Sequence, residues 1–240
     1  MKAYVITLMG NKESEQLAEN VEQSIQDTGT QLEIEIFPAT TPETLGDHIR
    51  ETFGKTVPWT WSSSPEEDHM DFNTNLFKKS YKAADQMRVR ACAVSHARLW
   101  NKIHKENEVA VVLEHDAIFV KKFDPSKYIH KKWGVLGLND PRGNTRKAQR
   151  FHAAIDSSGK GVHDIPTIDF DGELPLPMGL AGNSAYIIKP HAAGRLIDKI
   201  EEIGLWPNDA IMCKQLFPSL LKVTNPYYTN TQPNVSSTTQ

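Results

Sequence analysis

The sequence predicts an α/β protein built on a largely parallel, doubly wound sheet. Three observations carry that prediction. Ala3-Tyr4-Val5-Ile6-Thr7-Leu8 and Val109-Ala110-Val111-Val112-Leu113 are near-continuous apolar runs, the pattern of strands covered on both faces. Helical periodicities alternate with such runs along the chain. The 240 residues, 39% apolar and 24% charged, are enough to bury roughly 70–75% of the surface the unfolded chain exposes.

The elements follow in order. Behind the first strand, Leu17, Val21 and Ile25 recur at helical spacing. Leu32, Ile34 and Ile36 then alternate with Gln31, Glu33 and Glu35, marking a strand with one wet face. Thr41-Pro42 has the chemistry of a helix start, an N-cap and then proline, for a segment reaching about Phe53. Residues 54–80, with Pro58, Trp59, Trp61 and a serine run, read as a long loop, and such loops are usually functional. From Arg88 to about Lys105 one helical face collects Val89, Cys92, Ala93, Leu99, Trp100 and Ile103, with His96 among them. The apolar strand at 109–113 comes next and ends in Glu114-His115-Asp116. A further strand is expected at Trp133–Leu138, and residues 139–182 read as loop, rich in glycine and proline. Ala185–Ile188 is a strand, and Pro190 opens a helix carrying Ala193, Leu196, Ile197 and Ile200. Pro207-Asn208-Asp209 starts a short helix, and Leu221–Thr224 is a last strand before a polar tail.

Composition excludes several function classes. The 27 Lys+Arg against 30 Asp+Glu leave no cationic excess to neutralise phosphates, so no nucleic-acid partner is expected. Two cysteines, Cys92 and Cys213, outside any C-x-x-C pair, remove disulfide frameworks and structural zinc of the usual spacing. No apolar stretch approaches about 18 residues and no leader pattern precedes the first strand, so the expectation is a cytoplasmic protein without a transmembrane segment. P-loop, G-x-G-x-x-G and H-E-x-x-H motifs are missing, and Gly182-Asn183-Ser184-Ala185-Tyr186 lacks the second glycine of a nucleophile elbow.

The strongest local signal is the acidic Glu114-His115-Asp116 at the carboxyl end of a buried strand, the end that faces the ligand crevice in open α/β sheets. Carboxylates there suit a hard cation such as Mg²⁺ or Mn²⁺; the alternative is that they solvate a loop or cap the next element. His96, on an apolar helical face, reads either as a hydrogen-bonded core histidine or as part of a site. Trp59 and Trp61 would either stack on a sugar ring or pin their loop to the domain.

Collected together, Cys92-x-x-Ser95-His96-x-x-x-Trp100 and Val111-Val112-Leu113-Glu114-His115-Asp116-Ala117 resemble the C-x-x-S-H-x-x-x-W and L-I-L-E-D-D-A signatures of glycosyltransferase family 25, the lipopolysaccharide and collagen galactosyltransferases. Gly182-Asn183-Ser184-Ala185-Tyr186-Ile187-Ile188 is similar to its G-T-x-A-Y-x-I segment and Pro207-Asn208-Asp209 to its P-x-D. Tyr4–Leu8 is similar to its first strand, and Pro226, Gln232 and Ser236-Ser237 match its closing P…Q…S. The resemblance implies a GT-A type fold: a Rossmann-like, mostly parallel sheet flanked by helices, spanning residues 1–240 as a single domain. It implies inverting transfer of a hexose, galactose by analogy, from a nucleotide sugar such as UDP-galactose to a glycan, lipid-linked or protein acceptor. The implied cofactor is Mn²⁺ or Mg²⁺, held by Asp116 and Glu114. Thr7, Leu8, His96, Glu114 and Asn183 would contact the donor, and Asp209 would be the catalytic base or else a helix cap. Segments 54–80 and 139–182 would contact the acceptor.

Three positions depart from the family pattern. His115 replaces its middle Asp, Val89-Arg90 its Gly-Glu, and Met9-Gly10-Asn11-Lys12 its early arginine. Two other readings compete: a non-catalytic glycan- or protein-binding relative, and a metal-dependent phosphohydrolase, which lacks the further Asp/His clusters of two-metal sites.

Overall fold

The computed structural model describes residues 1–142, 148–168 and 174–232. Its first unit is β1 (Lys2–Thr7), α1 (Lys12–Asp27) and β2 (Glu33–Pro38). Asn11 starts α1 by accepting the Ser14 N–H at 3.0 Å, and Leu17, Val21 and Ile25 turn inward. The next helix, α2 (Leu45–Phe53), begins later than Thr41-Pro42 suggests. Thr41 donates its N–H to Thr44 Oγ1 at 3.0 Å, closing a turn, and the bond from His48 N to Thr44 O opens the helix behind it.

The 54–80 segment is more ordered than a loop, since it carries a small hairpin of β3 (His69–Asp71) and β4 (Leu76–Lys78). Three-residue strands are too short to show a period of two. Then comes α3 (Gln86–Glu106), capped by Asp85 and stopped by Asn107 in the left-handed region. It is followed by β5 (Ala110–Glu114), β6 (Ala117–Phe119) and β7 (Val135–Gly137). The 139–182 stretch also holds structure: α4 (Ala148–Ser157) and β8 (Gly161–Asp164). Glycines and prolines around Phe151 and Ile155 mask that short helix in the sequence. The chain ends with β9 (Ala185–Ile188), α5 (Pro190–Ile203), α6 (Asn208–Ile211), β10 (Leu221–Asn225) and β11 (Thr229–Thr231). β11 replaces part of the expected polar tail and pairs with β6. Ser236-Ser237 lie outside the described residues.

The main sheet has the order β2-β1-β5-β9-β7-β10-β8. β2, β1, β5, β7 and β10 run one way, so the sheet is mostly parallel and the α/β class is as expected. β9 runs antiparallel between β5 and β7, and β8 is antiparallel at the edge. Apolar periodicity does not encode strand direction, so this inversion is invisible in the sequence. Its consequence is large: the chain entering β9, Gly182-Asn183-Ser184, lies beside the carboxyl end of β5, where Glu114 N donates to Ser184 O at 2.8 Å.

Alternation along the strands divides the core into two layers. Tyr4, Ile6, Val112, Tyr186 and Ile188 pack with α2, α3 and α5. Ala3, Val5, Val111, Leu113 and Ile187 pack with α1 and with Phe119, Phe123 and Trp133. Each large side chain fully buried this way contributes about 1.5–3 kcal/mol. Among the described residues, no helix is long and apolar enough to cross a membrane.

Candidate active site

A cleft of about 450 Å³ opens over the carboxyl ends of β2, β1 and β5, a volume in the range of small-ligand sites. Ile6, Leu8 and Gly10 come from the end of β1, Thr40 and Thr41 from the end of β2, Cys92 and His96 from α3, and Glu114 and His115 from β5. The turn after β1 is not a phosphate cradle of the Gly-rich kind, because its Leu8, Gly10 and Asn11 amides are taken. Leu8 N donates to Ser14 Oγ at 2.9 Å, and Gly10 N to Glu15 Oε1 at 2.8 Å. A diphosphate held here therefore needs its charge balanced elsewhere.

The acidic turn after β5 is fixed from two sides. Gln232, just past β11, donates its N–H to Asp116 O at 2.8 Å and its Nε2 to His115 O at 3.3 Å. His115 is turned toward α1, its Nδ1 lying 3.1 Å from Ser14 Oγ. Burial pushes the His115 imidazole below its ordinary value, against the pull of Glu114 and Glu13, so it is neutral at pH 7. The residue standing where the family has its middle Asp is thus spent on the first turn of α1.

The helix motif is a set of ties between α3 and its neighbours. Ser95 Oγ accepts from Thr40 N at 2.8 Å, and Cys92 Sγ donates to Asn208 Oδ1 at 3.7 Å. His96, with no exposed surface, has Nδ1 2.8 Å from the Tyr186 hydroxyl and Nε2 3.2 Å from Glu114 Oε1. Trp100 Nε1 donates to the same Tyr186 oxygen at 2.8 Å. The simplest proton order has Tyr186 donating to His96 Nδ1 and His96 Nε2–H donating to Glu114, a tautomer assigned from the partners. His96 is therefore both a hydrogen-bonded core histidine and the group that orients Glu114. Removing the shared hydroxyl by Tyr186→Phe leaves the Trp100 and His96 nitrogens unpaired. Thermal and urea melts are expected to show a loss of about 2–4 kcal/mol, or roughly 4–12 °C in Tm.

Three carboxylates, Glu114, Asp116 and Asp209, share this region, and among the described residues no lysine or arginine forms an ion pair with any of them. Burial would raise Glu114, but the hydrogen bond from His96 holds it below its ordinary value. Asp116 is pushed up to about 7 by burial and by the negative charge of Glu114. Its Oδ1 is buried without a hydrogen-bond partner. Burial also raises Asp209, with Glu114 adding to the rise, while the Tyr81 hydroxyl, donating to Oδ1 at 2.5 Å, works against it.

This arrangement fits a divalent cation. Asp116 and Glu114 offer hard oxygen donors, one of them an orphaned buried atom, where an uncompensated second charge is costly. Cys92, His96 and Glu114 also place ligand atoms within 4.8 Å of one another. Softer ligation by that trio is disfavoured. Both His96 nitrogens are engaged, and burial and the surrounding carboxylates keep the Cys92 thiol protonated, its pKa well above the ordinary value. A pH dependence follows. Asp116 titrates near 3.8 unfolded and about 7 folded, so between these values the folded state binds the extra proton and stability falls as pH rises. Melts without metal are expected to show a difference on the order of 1–3 kcal/mol across that window, absent in Asp116→Asn. The lowered His115 has the opposite slope below its ordinary 6.5, and comparison with the variant removes it.

The expected site residues are distributed as follows. Leu8, His96 and Glu114 line the cleft; Thr7 does not, being buried with its hydroxyl donating to Val5 O at 3.1 Å. Asn183 is buried beside the acidic turn, with both amide atoms unpartnered. Asp209 is on α6, where Gly179 packs so closely that a Cβ there would meet the Met212 and Asp209 carbonyl oxygens at 2.4 and 2.7 Å. Trp61 pins its segment to the domain, packing 5.0 Å from Trp206 and donating from Nε1 to Lys79 O. Trp59 is half-buried under the Arg90 guanidinium, at 5.4 Å. Sequence reasoning missed Ser14, Tyr81 and the double role of Gln232. Only Gln232 left a signal, as a letter in the closing motif.

The family model for glycosyltransferase family 25 (LPS biosynthesis protein) matches residues 1–212. No curated protein matches the chain. Among solved structures it is similar to the galactosyltransferase LgtC in complex with donor and acceptor sugar analogs. The identity is 9% and the TM-score 0.46, over 98% of this chain and 87% of that one. It is also similar to mouse xyloside xylosyltransferase 1 in its apo form, at 8% identity and a TM-score of 0.46, over 92% and 84% of the two chains. The family match runs from β1 through the helix motif and the acidic turn to Asp209 in α6, and on that match the chain belongs to glycosyltransferase family 25.

Proposed function

We propose that this glycosyltransferase moves a hexosyl group, galactose, from UDP-galactose to a hydroxyl of a glycan, lipid-linked or protein acceptor, with inversion and with Mn²⁺ or Mg²⁺ as cofactor. The observation that carries the reading is the buried, unpaired Asp116 Oδ1, two residues along the acidic turn from Glu114, which itself lines the cleft with His115. Family analogy, rather than geometry, supports the donor choice and the stereochemistry. One domain spanning residues 1–240 performs the reaction in this reading, and the segments 54–80 and 139–182 supply the acceptor contacts.

Asp116 and Glu114 would hold the cation, which when bound supplies positive charge to the leaving nucleoside diphosphate. The protein's own residues do the rest. The cleft takes the nucleoside. His96, backed by Tyr186 and Trp100, keeps Glu114 ionised and aimed. Asn183 offers a donor and an acceptor to the donor-sugar hydroxyls. Asp209 accepts the proton of the acceptor hydroxyl as its oxygen bonds to the anomeric carbon, and the electron pair of the breaking C–O bond leaves on the diphosphate.

The test is a panel of UDP- and GDP-sugars with Mn²⁺, read by thermal stabilisation and by release of nucleoside diphosphate. The expected result is metal-dependent stabilisation by UDP-sugars, largest for UDP-galactose. A protein that no nucleotide sugar stabilises, with or without Mn²⁺, overturns the reading in favour of a glycan- or protein-binding module.

A further inference from the structure

Tyr81 reaches Asp209 across 128 residues of sequence, and its hydroxyl lies 2.5 Å from Oδ1. The contact is built, not incidental. The segment that delivers Tyr81 is fixed to the stretch leading into α6 at several points. Thr60 N donates to Leu205 O at 3.1 Å, and Leu205 N to Pro58 O at 2.8 Å. Trp206 Nε1 donates to Thr60 Oγ1 at 2.9 Å. Trp61 packs on both Trp206 and Tyr81, and Gln86 Nε2 holds the Tyr81 carbonyl at 2.9 Å. The Tyr81 phenol stays a neutral donor, because burial and the adjacent Asp209 raise it well above its ordinary value.

We propose that Tyr81 is a positioning residue for transfer: it holds the Asp209 carboxylate by Oδ1 and leaves Oδ2 to receive the acceptor proton. The inference rests on the reading of Asp209 as the base. A general base must sit within hydrogen-bond reach of the proton it takes, and a misplacement of about 1 Å costs on the order of a hundredfold in rate. The backbone N–H groups of Asp209 and Ala210 also donate to this carboxylate, and Tyr81 adds the side-chain hydrogen bond that fixes Oδ1 from across the site, keeping its own proton throughout.

The experiment is a double-mutant cycle on the full chain, with Tyr81→Phe, Asp209→Asn and both together. Turnover is measured as hydrolysis of the most rapidly cleaved nucleotide sugar of the panel, with Mn²⁺ and water as acceptor; UDP affinity is measured by calorimetry. Tyr81→Phe is expected to lower kcat about ten- to a hundredfold, with donor KM and UDP affinity within about twofold of native. The double variant is expected to be no slower than Asp209→Asn alone. Tyr81→Phe at native rate beside an inactive Asp209→Asn overturns this proposal and leaves the base in place. So does a double variant that loses the full product of the two factors, or a Tyr81→Phe protein that loses UDP affinity in step with rate. An Asp209→Asn protein at native rate, or a native chain without turnover, removes the base reading and the proposal together.

Discussion

Asp209→Asn is expected to lower turnover by about 10²–10⁴ while UDP binding in the presence of Mn²⁺ stays native. The substitution is chosen for its shape. Asparagine has nearly the same shape and its amide oxygen can still accept the Tyr81 hydroxyl, so the packing of α6 is preserved. What it removes is the ability to take a proton. Asp209 does not line the cleft under β1, β2 and β5, so donor affinity has no reason to change. Steady-state kinetics and calorimetry on the same preparation separate the two quantities. Unchanged turnover would reduce Asp209 to a structural residue of α6.

Asp116→Ala is expected to act on binding instead. Mn²⁺-dependent UDP affinity should fall by at least about a hundredfold, since even groups that only orient a metal ligand are worth ten- to a hundredfold. The same variant carries a second, opposite signature. Asp116 is a partly buried carboxylate raised to about 7 with one oxygen unpaired, so without metal above pH 7 it destabilises the fold. The metal-free variant should therefore melt higher than the native protein at pH 8, against the usual direction of a substitution. Native-like Mn²⁺ dependence in Asp116→Ala would remove Asp116 as the metal ligand.

Much of this protein is legible from residue pattern alone. The strands at 110–114 and 185–188 stand out because parallel and central strands are apolar throughout, with no wet face to interrupt the run. The α3 motif is legible as an ordered set of residue types at helical spacing, with Cys92 answering Asn208, Ser95 answering Thr40, and His96 and Trp100 sharing the Tyr186 hydroxyl. The boundaries of α2, the β3–β4 hairpin and α4 are not legible to the same degree. Their segments are too short for a period to emerge, and Thr41-Pro42 satisfies the rules for a turn as well as those for a helix start.

The sequence by itself determined the α/β class, the acidic end of β5 and the family. These depend on local chemistry, which apolar runs, caps and ordered motifs carry without help from distant residues. Only the tertiary structure decided what surrounds those carboxylates. It reversed β9, so that Asn183 stands beside the acidic turn; it turned His115 onto Ser14; and it brought Tyr81 to Asp209 from 128 residues away. Strand direction and long-range pairing are settled by how the layers pack. A chain read one window at a time has no term for that.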